Sequence, residues 1–522
     1  MQEHIVVGPP GCGKTTWAAR QVERHVERYG PDRCLAISLT RAAARELAGR
    51  TELSRQMVGT LHSHCFRALG QPKMVNAAAI TAWNDEYPDW ALSGTEREEA
   101  GDQPPRETLG DRFMALVERA RHHMVPVPES AKNFAEAWED HKSQEGLVDF
   151  TDMIEHAYND VPMPPGNPAA LIADEYQDHS KLELTLLRSW AQYVDHFGLI
   201  GDPNQSIYHW RHAAEETAHA VPTIVLGQSY RVPRAVQSAA VALGKRSSTY
   251  LNAEYKPREE EGSCVAVNIG WSEAERTLNL IDRLEGTVMF LATCAYMLNP
   301  FITLLRKRGI PYHNPYRSDS AWSPLQHGTE RRRTATDRIE AWCACVSAMT
   351  DGVTLPSPEQ ISLLAKTMLR TGARPVSQDD IDWMSDGATV EQMQKAIRKI
   401  FTDMACQAML NKNIDWFAEH SQAATRRALQ YPITVYKRLG LEGLRAKPNI
   451  ILGTIHSVKG GQADHVILAP DLSMKGMETF RRPGWAHHDG VLRTFYVGMT
   501  RARQTLTILR QQGWAVEIPV RG

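Results

Sequence analysis

The apolar run His4-Ile5-Val6-Val7 breaks at Gly8-Pro9-Pro10-Gly11-Cys12-Gly13-Lys14-Thr15, and a helical pattern then continues to about Tyr29. The break matches G-x-x-x-x-G-K-[ST] at every position, with the preceding strand and following helix that the motif requires. Such a loop turns backbone N–H groups toward a phosphate at the positive end of a helix. Gly8, Pro9, Pro10, Gly11, Cys12, Gly13, Lys14 and Thr15 are therefore candidate nucleotide-binding residues. Lys14 is expected to reach the β- and γ-phosphates, and the Thr15 hydroxyl to ligate Mg²⁺. Many kinds of nucleotide enzyme carry this loop, so it leaves the task open.

The strand–helix rhythm recurs along the chain. Residues 34–39 read as a buried strand, and Thr40 suits the N-cap of an Ala-rich helix reaching Arg50. Further strands are expected at 170–173, 196–200, 223–226, 288–291, 450–452, 466–468 and 506–509. This alternation predicts α/β construction on parallel sheets. The rhythm lapses twice. Pro, Trp and acidic residues dominate 71–146, and 317–446 reads as mostly helical with many polar and basic side chains. The economical description is two cores, each split by a mainly helical insertion: 1–70 with 147–222 around 71–146, and 223–316 with 447–522 around 317–446.

A chain of 522 residues exceeds one compact core, so about three or four folded units are expected. No apolar run approaches the roughly 20 residues of a membrane span. Met1-Gln2-Glu3-His4 shows no signal-peptide pattern, and eight scattered cysteines suit reduced thiols in a cytoplasmic compartment. Net charge is −2, but residues 85–160 carry 19 Asp/Glu against 7 Lys/Arg, leaving the remainder at +10. A basic working surface beside an acidic module is compatible with a nucleic-acid partner. Four close histidine pairs (His62/His64, His122/His123, His209/His212, His487/His488) lack neighbours at metal spacing and read as surface or backbone contacts.

Asp174-Glu175 closes the apolar run Leu171-Ile172-Ala173, where a second Mg²⁺-binding group is needed. Asp174 suits the metal and Glu175 suits a general base on water. The longer segment Asp174-Glu175-Tyr176-Gln177-Asp178 resembles motif II of the UvrD/Rep/PcrA group of superfamily 1 DNA helicases. Other matches follow in the family's order. Residues 38–47 resemble motif Ia, and Thr60-Leu61-His62-Ser63 resembles the element after it. Asp149-Phe150-Thr151-Asp152 resembles a segment that precedes motif II. Residues 201–211 resemble motif III, Ser229-Tyr230-Arg231 motif IV, 453–460 motif V and 496–502 motif VI. The matches lie in the two cores and leave both insertions without a motif.

The resemblance implies a P-loop NTPase with two RecA-like cores and ATP between them. Gln205 would read the γ-phosphate, and Arg231 and Arg501 would act as arginine fingers. Tyr230 would stack on the base, with Thr16 in the adenine pocket and Gln462 near the ribose. Single-stranded DNA and its junctions with duplex are the implied partners. Trp210 and Tyr208 would stack on bases, and Thr40, His62, Thr454 and His456 would touch the backbone. The Gln-Ser-Ile-Tyr-x-Trp-Arg run points to the UvrD branch, hence 3′→5′ travel. Three activities fit: an unwinding motor, a translocase that strips proteins or serves a partner nuclease, and a nucleotide-gated binding switch. The full hydrolytic set, Glu175, Gln205, Arg231 and Arg501, disfavours the switch.

Departures from the family sharpen these expectations. Leu39 and Leu61 stand where relatives place phenylalanines, so the aromatic grip of the first core is expected to be thin. The charge of 85–160 opposes phosphate contact, so that segment is expected to add little duplex affinity or to dock a basic protein partner. Gln462 replaces a usual glutamate. Thr16 stands where relatives often have Arg, and the adenine-reading helix that usually precedes the first strand has no counterpart. Relaxed base selectivity is therefore expected. Steady-state assays are expected to give comparable kcat/KM for ATP and GTP, and an ATP preference of about a hundredfold would contradict this.

Overall fold

The computed structural model describes residues 3–94, 108–317, 322–329, 332–375 and 389–519, with the side chains of Arg41, Ala42 and Trp210 outside the described residues. Six strands form the first sheet: β1 (Glu3–Val7), β2 (Cys34–Ile37), β3 (Val58–Gly59), β4 (Ala170–Asp174), β5 (His196–Gly201) and β6 (Ile224–Val225). Their order is β3-β2-β4-β5-β1-β6. Neighbours run parallel, in registers such as Val7↔Gly201, Asp174↔Ile200 and Ile37↔Ala173. Parallel strands must be covered on both faces, which is why β2 and β4 are wholly buried and, apart from the terminal Asp174, apolar.

Helices α1 (Lys14–Tyr29), α2 (Arg41–Arg50) and α3 (Leu61–Ala68) follow strands of this sheet. Thr40 caps α2 by accepting from Ala43 N at 3.1 Å, as the sequence predicted. Thr60 caps α3 in the same way through Ser63 N at 3.2 Å. One expectation is corrected. Residues 224–225 do not open the second core but extend the first sheet, pairing Val6↔Ile224 and Val7↔Val225. The free edge of β1 takes this short strand because Thr223 N and Leu226 N also donate to β1 carbonyls.

The first insertion contains α4 (Ala77–Glu86), α5 (Leu109–His122) and α6 (Lys132–Glu145), and α7 (Phe150–Asp160) leads back to the sheet. Trp83, Leu92, Val117, Ala131, Phe134 and Trp138 form its own small core. Two of its cations pair with carboxylates of α7. Lys142 is 2% exposed and donates to Asp152 at 2.5 Å and Asp149 at 2.8 Å, while Arg121 reaches Asp152 at 2.5 Å and Glu155 at 2.6 Å. Asp149 and Asp152 also form the capping box of α7, so these ion pairs sit at its N-terminus.

The second six-stranded sheet is built from β7 (Ser263–Gly270), β8 (Val288–Ala292), β9 (Tyr312–His313), β10 (Ile450–Thr454), β11 (Ala463–Leu468) and β13 (Ala502–Arg510), in the order β7-β13-β11-β8-β10-β9. β10 runs parallel to β8 and β9, in registers Ile450↔Val288 and Ile450↔Tyr312. β12 (Asp471–Leu472) and β14 (Trp514–Ala515) form a separate antiparallel pair. β7 has no counterpart among the predicted strands. Its run Cys264-Val265-Ala266-Val267 is a local strand signal, yet only Gly270 of the strand is buried, as befits a sheet edge. Between β9 and β10 the described residues are helical, including Ala335–Thr350, Pro358–Thr367 and Ala423–Arg445. No described helix is long and apolar enough to cross a membrane.

The chain divides into two compact units. One comprises Met1–Val267, Thr293–Tyr296 and Leu468–Gly522, the other Asn268–Ala292 and Met297–Ile467.

The buried ion cluster generates a test. Burial alone would raise the Asp149 pKa, but Lys142 and Arg121 hold it down at about 2. A depressed carboxylate stabilises the fold above its unfolded value of 3.8, and that contribution is lost as pH falls toward 2. Lys142→Met, which leaves Arg121 as the one cation shared by Asp149 and Asp152, is expected to cost about 3 kcal/mol at neutral pH in urea unfolding. It should also flatten the acid limb of the stability profile.

Candidate nucleotide and strand site

In open parallel sheets, ligands gather beyond the carboxyl ends of the strands. Here the ends of β1, β4 and β5 carry the Gly8–Thr15 loop, the Asp174-Glu175 pair and the Asp202–Gln205 turn. Gly8 N donates to Gly201 O at 3.0 Å, which ties the first loop to the end of β5. Lys14 is folded back, its Nζ donating to Gly8 O at 2.7 Å. Gly13 has φ 77° and begins α1, and a Cβ placed there would meet nothing within 4 Å. The space beside Gly13 at the helix N-terminus is therefore open. Cys12 is buried in the loop, and that burial pushes its thiol up to about 12, so it stays neutral.

Asp174 lies at the end of a fully buried strand. Burial and the neighbouring Glu175 carboxylate push it up to about 7, against the opposing charge of Lys14. Such a pair fits a divalent cation, which would return Asp174 to its ionised form. Glu175 has φ 56°, a left-handed backbone unusual for a residue with a side chain. Its carboxylate accepts from Gln177 Nε2. That amide also donates to Asp178 Oδ2 at 2.9 Å, and its Oε1 accepts from Asp202 N at 2.8 Å. Asp202 Oδ2 accepts from Gln205 Nε2 at 2.7 Å, and Gln205 Oε1 accepts from Arg501 Nη2 at 2.8 Å. A continuous line of hydrogen bonds thus joins Glu175 to Arg501. Arg501 is 2% exposed, and its Nε donates to Val497 O at 2.9 Å.

The segment 229–231 meets the first loop directly. Ser229 Oγ donates to Pro10 O at 2.9 Å, and Tyr230 N donates to Gly11 O at 2.9 Å. A Cβ on Gly11 would lie 2.6 Å from Ser229 Oγ and 2.7 Å from Arg231 Cβ, so glycine permits this approach. Tyr230 is 75% exposed and offers its ring to solvent. Thr16 is exposed, and its Oγ1 accepts from Arg50 Nη1 at 3.4 Å.

One unit therefore brings together Gly8–Thr15, Asp174, Glu175, Gln205, Tyr230, Arg231 and Arg501. The sequence reading assigned no role to Gln177, Asp202 or Ser229. All three sit inside quoted motifs, but their partners are distant in sequence, and only folding identifies them.

The expected strand contacts divide between the units. Thr40 is exposed, while Leu61 is 2% exposed and faces the core. His62 is partly exposed, sits edge-on to Phe150 at 5.7 Å and is kept below its usual pKa by burial. Tyr208 lies under the Arg211 guanidinium at 6.0 Å. Trp210 falls in the short helix His209–Arg211, but its side chain is outside the described residues. Thr454, His456 and Gln462 belong to the other unit, where Thr454 Oγ1 accepts from Ser457 N at 3.3 Å and Gln462 is exposed.

The surface reading of the histidine pairs is corrected for His64. It is fully buried beside Arg67, and burial with that neighbouring charge pushes it down to about 3. His122 is also internal in character, sharing hydrogen bonds with Ser180 Oγ at 3.0 Å and Thr151 Oγ1 at 3.3 Å.

Residues 1–222 match the family model of the UvrD/REP helicase N-terminal domain. The chain is 23% identical to DNA helicase II of Escherichia coli strain K12 over 363 residues, covering 60% of this chain and 49% of that protein. It is 25% identical to the ATP-dependent DNA helicase PcrA of Staphylococcus epidermidis strain RP62A over 296 residues, covering 49% and 39%. A shorter match, 28% over 121 residues, links it to the ATP-dependent DNA helicase Rep of Buchnera aphidicola, covering 22% and 18%. The chain spans about half the length of the first of these relatives.

The raised Asp174 pKa implies a pH-dependent cost without a cation. Below 3.8 the group is protonated whether folded or not, and as pH rises through about 7 the folded chain must carry a buried charge. Asp174→Asn removes that charge. Without magnesium it should stabilise the protein by roughly 2–4 kcal/mol near pH 8 and by little at acid pH, as read from urea unfolding.

Proposed function

We propose, for a UvrD/Rep/PcrA-like chain with two RecA-like cores, that this protein is an ATP-dependent DNA helicase moving 3′→5′ on single-stranded DNA. The hydrogen-bonded line from Glu175 through Gln177, Asp202 and Gln205 to Arg501 carries this reading. It joins a carboxylate suited to general base work to a guanidinium suited to charge stabilisation, with a glutamine between them.

Bound MgATP supplies the phosphoryl group that is transferred to water and the charge that the site must stabilise. The N–H groups of Gly11, Gly13, Lys14 and Thr15 hold the phosphates, and Lys14 Nζ exchanges the Gly8 carbonyl for them. Thr15 and Asp174 would hold Mg²⁺. Glu175 takes the proton of the attacking water, and Gln205 orients that water. Arg501 and Arg231 stabilise charge on the equatorial oxygens, where a planar guanidinium exceeds an ammonium. Tyr230 covers the base, and Gln462 is assigned to the ribose.

Strand contacts are assigned to Thr40, His62, Tyr208 and Trp210 in one unit and to Thr454 and His456 in the other. Stacking on Tyr208 and Trp210 would contribute about 1–3 kcal/mol per base without sequence preference.

The test is strand displacement on duplexes with a 3′ or a 5′ single-stranded tail. Unwinding of the 3′-tailed substrate alone is expected, together with ATP turnover that rises on adding single-stranded DNA. Glu175→Gln should lower kcat by about 10²- to 10⁴-fold. Equal unwinding from both tails would refute the direction, and turnover indifferent to DNA would refute the motor.

A further inference from the structure

The helix His488–Met499 grips the Ser206–His209 stretch through Arg493. This guanidinium is 4% exposed. Nε donates to Ser206 O at 2.9 Å, Nη1 to Thr249 Oγ1 at 2.9 Å, and Nη2 to His209 Nε2 at 3.1 Å and to Trp485 O. It lies over the Trp485 ring at 4.9 Å, and the His209 ring stands edge-on to the same indole at 4.4 Å. A Cβ on Gly490, one turn earlier, would lie 2.7 Å from the His209 ring, so the helix approaches this segment closely.

The acceptors are two backbone carbonyls, a hydroxyl and an imidazole, and none of them is a carboxylate. Burial lowers the Arg493 pKa to about 10, which leaves it charged near neutral pH. A buried cation with only neutral hydrogen-bond acceptors is a poor source of stability, because its desolvation is large and the carboxylates of Asp489, Asp178 and Glu215 offset it only in part. What the planar fork supplies is geometry, since it fixes several acceptors at once. Two of them bracket a short stretch. Ser206 follows Gln205, which Arg501 holds from just beyond the same helix, and His209 lies between Tyr208 and Trp210.

We propose that Arg493 is a positioning residue that couples the nucleotide-reading glutamine to the aromatic strand contacts. It holds Ser206–His209 as one piece, so that a displacement of Gln205 is passed to Tyr208 and Trp210. The inference rests on the roles given to Gln205, Tyr208 and Trp210 under Proposed function.

The test is thermodynamic linkage, because coupling between two ligands is reciprocal and needs no turnover. The affinity of a fluorescent oligothymidylate is measured on the full chain without nucleotide and with a non-hydrolysable ATP analogue. The unaltered chain should show a change of about fivefold or more. Arg493→Lys and Arg493→Gln should bring that ratio close to one, with thermal unfolding checking that the variants fold. His209→Ala removes one acceptor at a less buried position and should reduce the ratio even if the Arg493 variants do not fold. His209→Gln retains an acceptor and should restore it. A purely structural role would lower the melting temperature and leave the ratio intact, and that result overturns the proposal. So does a ratio of one in the unaltered chain. Failure of strand displacement with an intact ratio would instead refute the motor and leave the coupling standing.

Discussion

The interaction on which the site depends is the bond from Arg501 to Gln205. A buried guanidinium from the C-terminal part of the chain meets a glutamine at the end of β5, and that glutamine is bound to Asp202. Through Gln177 the same line continues to Glu175. Each member both receives and passes on a directional contact, so moving one end disturbs the other. Low local dielectric strengthens such a chain and makes any break in it expensive. The left-handed backbone at Glu175 belongs to this arrangement, because it turns the carboxylate away from the strand direction and toward Gln177.

Two treatments of buried charge coexist in the same unit. Around Asp149 and Asp152, cations from α5 and α6 neutralise the carboxylates, and the result is structural attachment of the insertion. At Asp174 and Glu175, two carboxylates share a dry strand end, and Asp174 is pushed upward as a result. The first arrangement is complete within the protein. The second suits a ligand that brings positive charge, as expected of a site rather than a scaffold. The acidic balance read along 85–160 already counts Arg121 and Lys142, so this pairing leaves the net charge unchanged and places the excess on the segment's other acids.

Much of the chemistry was legible in one dimension. The loop Gly8–Thr15, the strand ending in Asp174 and the cap at Thr40 all depend on neighbours a few residues away, and all three form as expected. Strand 263–270 carries the apolar run Cys264-Val265-Ala266-Val267, a local strand signal, while its place at a sheet edge is set by the fold. The placement of 224–225 was not legible, because two residues carry no sign of which sheet they complete. His64 looked like half of an exposed pair, yet it packs inside α3 beside Arg67. Alternation of His with non-His cannot reveal which face of a helix is covered.

By itself, the sequence determined the Gly8–Thr15 loop, the acidic pair and the ordered motifs, because each is a local pattern of residue types set by spacing. Tertiary structure decided which of these residues act together. Gln177 and Asp202 became links, Arg493 became a clamp and Asp174 acquired its raised pKa only when remote segments packed into one dry space. Burial and hydrogen-bond direction are properties of that space and are absent from the linear order of residues.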